Sequence, residues 1–155
     1  MRKVQRHAMR RKTAAVCRAT DEVLCVSIPK IIHYCWFGGG PISEADRKCM
    51  ESWQKFCPDY RIMRWDETNF EISANRYAQQ AYEAKKYAFV SDYARLAVVY
   101  EYGGIYLDTD VELVRPLDEL LELPGFMGFQ NNNEVATGLG FGACKGSSTK
   151  VTFDV

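Results

Sequence analysis

The segment that most limits what this chain can fold into is Tyr100 to Val111, YEYGGIYLDTDV. A helical, tyrosine-bearing end runs into Gly103-Gly104, whose freedom at positive φ stops a helix. Ile105-Tyr106-Leu107 is apolar and strand-prone, which predicts a short buried strand. Asp108-Thr109-Asp110 follows where that strand would leave its sheet. In extended backbone residues i and i+2 share a face, so the two carboxylates are expected to aim at one target. Two hard, anionic ligands this close favour a cation between them, of the Mg²⁺ or Mn²⁺ type. Such a cation can clamp a diphosphate. A DxD spacing alone is a weak motif, and an acidic surface turn is its ordinary explanation. The glycine pair, the buried strand and a position at the carboxyl edge of a sheet favour the metal–phosphate reading.

A chain of 155 residues is one domain of ordinary size, and its 20 aromatic residues supply core and stacking surface. Formal net charge is zero but unevenly spread. Arg2, Lys3, Arg6, Arg10, Arg11, Lys12 and Arg18 stand in the first 18 residues without an acid, which leaves the rest of the chain distinctly acidic. An acidic body argues against nucleic acid as a partner and suits a cation-dependent site. The basic leader, residues 1–27, has no long apolar run and is expected to be disordered. The six cysteines form no CxxC pair, and His7 and His33 do not complete a zinc set. Most of the cysteines are therefore expected to be reduced thiols in a cytoplasmic protein.

Residues 28–40, IPKIIHYCWFGGG, are expected to form the first strand of the domain and a glycine loop. No GxGxxG and no Walker lysine accompany it, which excludes a dinucleotide fingerprint and a P-loop. Trp36 can offer an indole face to a nucleobase, although position alone favours a core tryptophan; His33 is expected to be a hydrogen-bonded core residue. Ser43, with Asp46 three residues on, predicts a helix start, and Cys49, Trp53 and Phe56 give it a core-facing stripe ending before Pro58. Residues 60–65 alternate as a second strand, with Asp66-Glu67 a polar loop beyond it. From Asn75 to Tyr102 the chain predicts two helices meeting near residues 86–88, the second apolar almost all round and hence buried. Asp92 and Arg95 interrupt it on one face. Either they pair with each other, which the sequence slightly favours, or that face lines a polar pocket. Residues 111–114, 126–129 and 135–143 read as further strands, and 117–123 as a short helix.

Two stretches together, IPKIIHYCWFGGGP and FVSDYARLAVVYEYGGIYLDTDVELVRPLD, resemble the sugar transferases that carry a DXD sugar-binding region. That family includes capsular-polysaccharide enzymes, fungal mannosyltransferases and glucosylating bacterial toxins. The resemblance spans residues 28 to about 145 and is strongest over 88–114. It implies an α/β fold of GT-A type, a Rossmann-like α/β/α sandwich that binds a nucleotide sugar, over residues 28–155. It also implies a chain shorter than its relatives at the C-terminal end.

Carried over by position, the resemblance implies that Trp36 stacks on the nucleobase and that Asp92 and Arg95 hydrogen-bond hydroxyls of the donor sugar. Tyr106 would contact the nucleoside, and Asp108 the ribose and sugar hydroxyls, reaching the metal through water. Asp110 would be the direct ligand of Mn²⁺ or Mg²⁺. The implied reaction moves a hexose, from a UDP-sugar for preference, to a saccharide, glycolipid or protein acceptor, with retention of configuration. Peripheral association with the inner face of a membrane is compatible with it. Two alternatives are a nucleotide-sugar-binding fragment without transferase activity, and an aspartate-nucleophile phosphohydrolase with Asp108 as nucleophile.

Overall fold

The computed structural model describes residues 2–3, 27–130 and 134–147. Its centre is a five-stranded sheet in the order β3-β2-β4-β9-β6. The parallel half comprises β2 (Ile31–Cys35), β3 (Arg61–Trp65) and β4 (Gly104–Tyr106). The antiparallel half adds β9 (Phe141–Ala143) and β6 (Gly125–Met127). Helix α1 (Glu44–Phe56) connects β2 to β3; α2 (Arg76–Glu83) and α3 (Tyr87–Tyr102) connect β3 to β4.

Strand alternation sends the two sets of helices to opposite faces. Ile32, Tyr34, Ile105 and Leu107 pack with Trp53 of α1 and with Cys57, which caps its C-terminal end. Cys35 and Tyr106, which point the other way, pack with Val90, Ala94, Val98 and Val99 of α3. The result is the α/β/α layering expected. The connections after β2 and after β3 therefore diverge to opposite faces, and a crevice opens at the carboxyl ends of β2 and β4 between them.

Local chemistry explains the boundaries. The Ser43 hydroxyl accepts from the Asp46 N–H at 3.1 Å and starts α1. Asn75 caps α2 in the same way, its side-chain oxygen accepting from Tyr77 and Ala78 N–H. Helix α3 ends on Gly103 at φ 68°, and Gly104 follows at φ 111°. A Cβ on Gly104 would lie 2.8 Å from the Ile31 carbonyl oxygen and 2.9 Å from His33 Nε2, so only glycine lets β4 enter the sheet here. Trp53 is fully buried and donates its indole N–H to the Val111 carbonyl at 2.8 Å, tying α1 to β5 (Val111–Glu112).

Four expectations change. Helix α3 is not buried all round: Phe89, Leu96 and Tyr100 stand on one flank with 46%, 51% and 58% of their surface exposed. The single strand expected over 135–143 is two, β8 (Glu134–Val135) and β9, separated by a 3₁₀ turn at Thr137–Leu139. Strand β8 instead forms a hairpin with β7 (Phe129–Gln130). Cys144 is disulfide-bonded, so the expectation of reduced thiols holds for Cys35, Cys49 and Cys57 and not for Cys144. Of the basic leader, β1 (Arg2–Lys3) pairs in parallel with β5, and residues 4–26 lie outside those described. The short helix expected at 117–123 is α4 (Asp118–Leu121), which seats Leu121 in the α1-side core.

Candidate active site

The crevice at the carboxyl ends of β2 and β4 is a cleft of about 360 Å³. Trp36 and Phe37 form one side, Tyr87, Ser91 and Arg95 of α3 another, and Tyr106 with Asp108, Thr109 and Asp110 the floor and far wall. The structure thus brings Trp36, Arg95, Tyr106, Asp108 and Asp110 together. Asp92 does not line the cleft but holds Arg95 from its rim.

Arg95 organises the floor. Its side chain is 8% exposed, and its Nη2 lies 2.9 Å from Asp92 Oδ1 and 3.5 Å from Asp108 Oδ1. Nε donates to the Ser91 carbonyl at 3.2 Å and Nη1 to the Thr137 hydroxyl at 3.4 Å. The guanidinium lies over the Tyr106 ring, 4.9 Å from its centroid. Both readings of Asp92 and Arg95 are therefore realised together: the residues pair, and Arg95 lines the pocket. These partners take up most of the guanidinium's donor capacity, so its main work is to hold Asp108.

Tyr106 is 1% exposed, and its hydroxyl donates to Asp108 Oδ1 at 2.9 Å. A ring buried between Arg95 and Phe141 cannot stack on a nucleoside; what it offers the cleft is the hydroxyl that orients Asp108. Burial pushes the Asp108 carboxyl above its ordinary range, with Arg95 and the Tyr106 hydroxyl opposing that shift. Burial also pushes the Cys35 thiol up to about 12 and the Tyr106 phenol well above its usual value, so neither is a ready nucleophile or base.

The DxD backbone differs from the extended form expected. The Val111 N–H donates to the Asp108 carbonyl at 3.1 Å, which closes a turn over Asp108-Thr109-Asp110. Pairing fixes the turn from both sides, because the Leu107 N–H reaches the His33 carbonyl and the Asp108 N–H reaches the Gly138 carbonyl, each at 3.1 Å. The two carboxylates meet in the cleft through this turn and not through strand alternation. Trp36 is half-buried, and its indole N–H is spent on the Gly40 carbonyl at 2.7 Å, which leaves the ring to face a ligand.

Thr137 and Gly138 were not visible as site residues in the sequence. A Cβ on Gly138 would overlap the Asp108 carboxylate and lie 3.3 Å from Arg95 Nη1. The usable clue was a glycine inside a strand-like run, which marks close approach by something else.

A mixed sheet with a DxD turn, a buried arginine and an indole beside the carboxyl ends of its parallel strands is an α/β fold with its ligand crevice at that edge. The chain belongs to the glycosyltransferase family with a sugar-binding region containing the DXD motif, matched over residues 43–126. It is 36% identical over 120 residues to inositol phosphoceramide mannosyltransferase 3 of Schizosaccharomyces pombe, an alignment covering 68% of this chain and 32% of that protein. It is 33% identical over 107 residues to the mannosyl phosphorylinositol ceramide synthase SUR1 of Saccharomyces cerevisiae, covering 64% and 27%. A 29-residue match to human alpha-1,4-N-acetylglucosaminyltransferase reaches 59% identity over 19% of this chain and 8% of that one. The chain thus spans about a third of the length of the fungal relatives. Its fold is similar to that of the PaToxG glycosyltransferase, with a TM-score of 0.63 at 24% identity over 77% of this chain and 55% of that one.

Proposed function

We propose that this chain carries the donor site of a metal-dependent hexosyltransferase, holding a nucleotide sugar with its diphosphate against the DxD turn. The observation that carries the reading is the single cleft shared by Trp36, Arg95, Asp108 and Asp110. A UDP-sugar is the first donor to test. Relatives named for mannose and for N-acetylglucosamine transfer support a hexosyl donor, and those named for inositol phosphoceramide support a glycolipid among the saccharide, glycolipid and protein acceptors. Action at the cytoplasmic face of a membrane, as a peripheral protein, belongs to the same proposal.

The donor set fits a Mn²⁺ or Mg²⁺ ion. Among the described residues no group of three or more His, Cys, Asp or Glu side chains is placed to hold a metal. Two carboxylates are nonetheless what such ions use when substrate phosphates and water complete the shell. Asp110, partly exposed in the cleft, would be the direct ligand; Asp108, already engaged by Tyr106 and Arg95, would act through water or donor hydroxyls. When bound, the ion neutralises charge on the departing nucleoside diphosphate.

The chain's own residues do the rest. Trp36 presents a flat face to a base, a contact worth about 1–3 kcal/mol. Arg95 brings a polar group to the cleft, held there by its ion pair with Asp92. Among the described residues that line it, the DxD carboxylates are the available bases, since the Cys35 and Tyr106 protons are held tightly. That shortage supports a retaining course, which depends on leaving-group stabilisation more than on activating an acceptor. The phosphohydrolase alternative is the weaker reading, because among the described residues no lysine and no second acidic pair line the cleft.

Calorimetry with a panel of nucleotide sugars, with and without Mn²⁺, tests the proposal. Metal-dependent binding is expected, lost in Asp110→Ala and weakened about tenfold in Trp36→Ala. A folded chain with no metal-dependent affinity for any nucleotide sugar would sink it.

A further inference from the structure

The loop that carries Trp36 is braced by a residue outside the family's DxD region of the cleft. Residues 38–40 are exposed, with Gly38 at φ 91° and Gly39 at φ 67°, and the hydrogen bond from the Trp36 indole to the Gly40 carbonyl couples the ring to the loop's shape. The brace comes from the turn after β3. The Gly38 N–H donates to Glu67 Oε1 at 2.5 Å, a charge-assisted hydrogen bond between segments 29 residues apart. Beside it the Trp36 N–H donates to the Trp65 carbonyl at 2.8 Å, and Phe37 meets Phe70 edge-on with centroids 5.9 Å apart.

The mount that presents Glu67 is rigid. Asp66 Oδ1 accepts from the Thr68 N–H at 2.9 Å and from the Thr68 hydroxyl at 2.6 Å. Asn69 Oδ1 accepts from the Asp66 N–H at 2.9 Å, and Asn69 Nδ2 donates to the Arg64 carbonyl at 2.8 Å. Arg64 Nε pairs with Asp66 Oδ2 at 2.8 Å. Glu67 therefore projects from a turn closed on both sides. The Tyr82 phenol of α2 stands beside this carboxylate, and its ring packs on Tyr87 of the cleft wall at 5.6 Å. On the far side of the loop, a Cβ on Gly38 would overlap the Tyr87 ring, so the loop is seated between Glu67 and Tyr87.

We propose that Glu67 is a positioning residue for the donor site: by holding the Gly38 N–H it fixes the glycine loop and, through it, the pose of Trp36. The proposal rests on the donor reading given above, with Trp36 as the stacking face. Glu67 does not itself line the cleft. It acts by keeping the stacking pose populated, and affinity scales with that population.

The chain carries its own reporter, because Trp53 and Trp65 are 0% and 5% exposed and Trp36 is the accessible indole. Acrylamide quenching of tryptophan fluorescence in the full, ligand-free chain reads the loop directly, and calorimetry with UDP and Mn²⁺ reads the site. In Glu67→Ala the quenching constant is expected to rise about twofold and the UDP dissociation constant about tenfold. Glu67→Gln keeps an acceptor for Gly38 and is expected to stay within about twofold of the parent on both. Tyr82→Phe, which leaves Glu67 in place but unbraced, moves both in the direction of Glu67→Ala by less. Parental quenching in Glu67→Ala overturns the proposal, as does raised quenching with parental UDP affinity. Should the parent bind no UDP, the preference for a UDP-sugar falls, and quenching alone decides whether Glu67 holds Trp36. If Glu67→Ala does not fold by circular dichroism, the contrast between Glu67→Gln and Tyr82→Phe decides in its place: parental quenching in both overturns the proposal.

Discussion

The hydroxyl of Tyr106 donates to Oδ1 of Asp108 at 2.9 Å, two residues apart along the chain, while its ring stays out of solvent. The residue that the resemblance assigns to the nucleoside thus also anchors the first DxD carboxylate through a hydrogen bond. Tyr106→Phe keeps the ring and deletes the anchor. We expect an unchanged fold and metal-dependent donor affinity weakened by about 1 kcal/mol, roughly fivefold, measured by calorimetry.

Arg95 joins Asp92 and Asp108 through one guanidinium group. Removing one partner of a buried ion pair costs about 3–5 kcal/mol, but Asp92 and Asp108 keep 53% and 36% side-chain exposure, which screens part of that loss. Arg95→Met is expected to destabilise the chain by about 1–3 kcal/mol in urea unfolding. Arg95→Lys recovers less than half of this, because an ammonium cannot span both carboxylates and the Ser91 carbonyl.

Gly138→Ala places a methyl group where the Asp108 carboxylate sits. The carboxylate must move, at a cost of about 1–3 kcal/mol for the overpacked site. Thermal melting reads the stability loss, and donor calorimetry is expected to show a larger proportional loss than Tyr106→Phe, because the whole carboxylate is displaced.

Much of this arrangement was legible in the sequence, for identifiable reasons. The Ser43 cap, the glycine pair and the period-2 alternation of β2 and β3 are local instructions that tertiary context did not override. Asp108 and Asp110 were legible from the glycine pair and short strand before them, whereas Trp36 and Arg95 joined them only through the family resemblance, because position alone favoured a core tryptophan and a paired arginine. What failed was non-local. The turn at Thr137–Leu139 breaks an apolar run that reads as one strand, and it does so to reach Asp108 and Arg95. Glu67 looked like an ordinary loop acid because its partner is a backbone N–H 29 residues away. The apolar composition of α3 suggested full burial, and no sequence pattern identified the flank that remains exposed.

His33 supplies a pH prediction. The ring is fully buried, with Nε2 donating to the Gly103 carbonyl at 2.8 Å and Nδ1 accepting from the Trp65 indole N–H at 3.0 Å. Those partners select the neutral ring with hydrogen on Nε2. Burial, the largest influence, holds its pKa below the usual 6.5. The unfolded chain therefore binds the proton first on acidification. The stability contribution is complete above about pH 6.5 and is lost as pH falls from there through the folded-state pKa, with a slope of up to about 1.4 kcal/mol per pH unit. Urea titrations between pH 7.5 and 5 are expected to show this slope, reduced in His33→Gln.

Gly103 and Gly104 have a mechanical consequence. With the helix end, the strand start and the imidazole of His33 locked at one crossing, the wall bearing the aspartates has no hinge of its own. On the proposed donor reading, adjustment to sugars of different size falls to the opposite lip, where Gly39 and Gly40 stand in open space beyond the Glu67 brace, or to the turn at residues 137–139. Donor selectivity is therefore tuned more readily at those two rims than at the acidic floor they face.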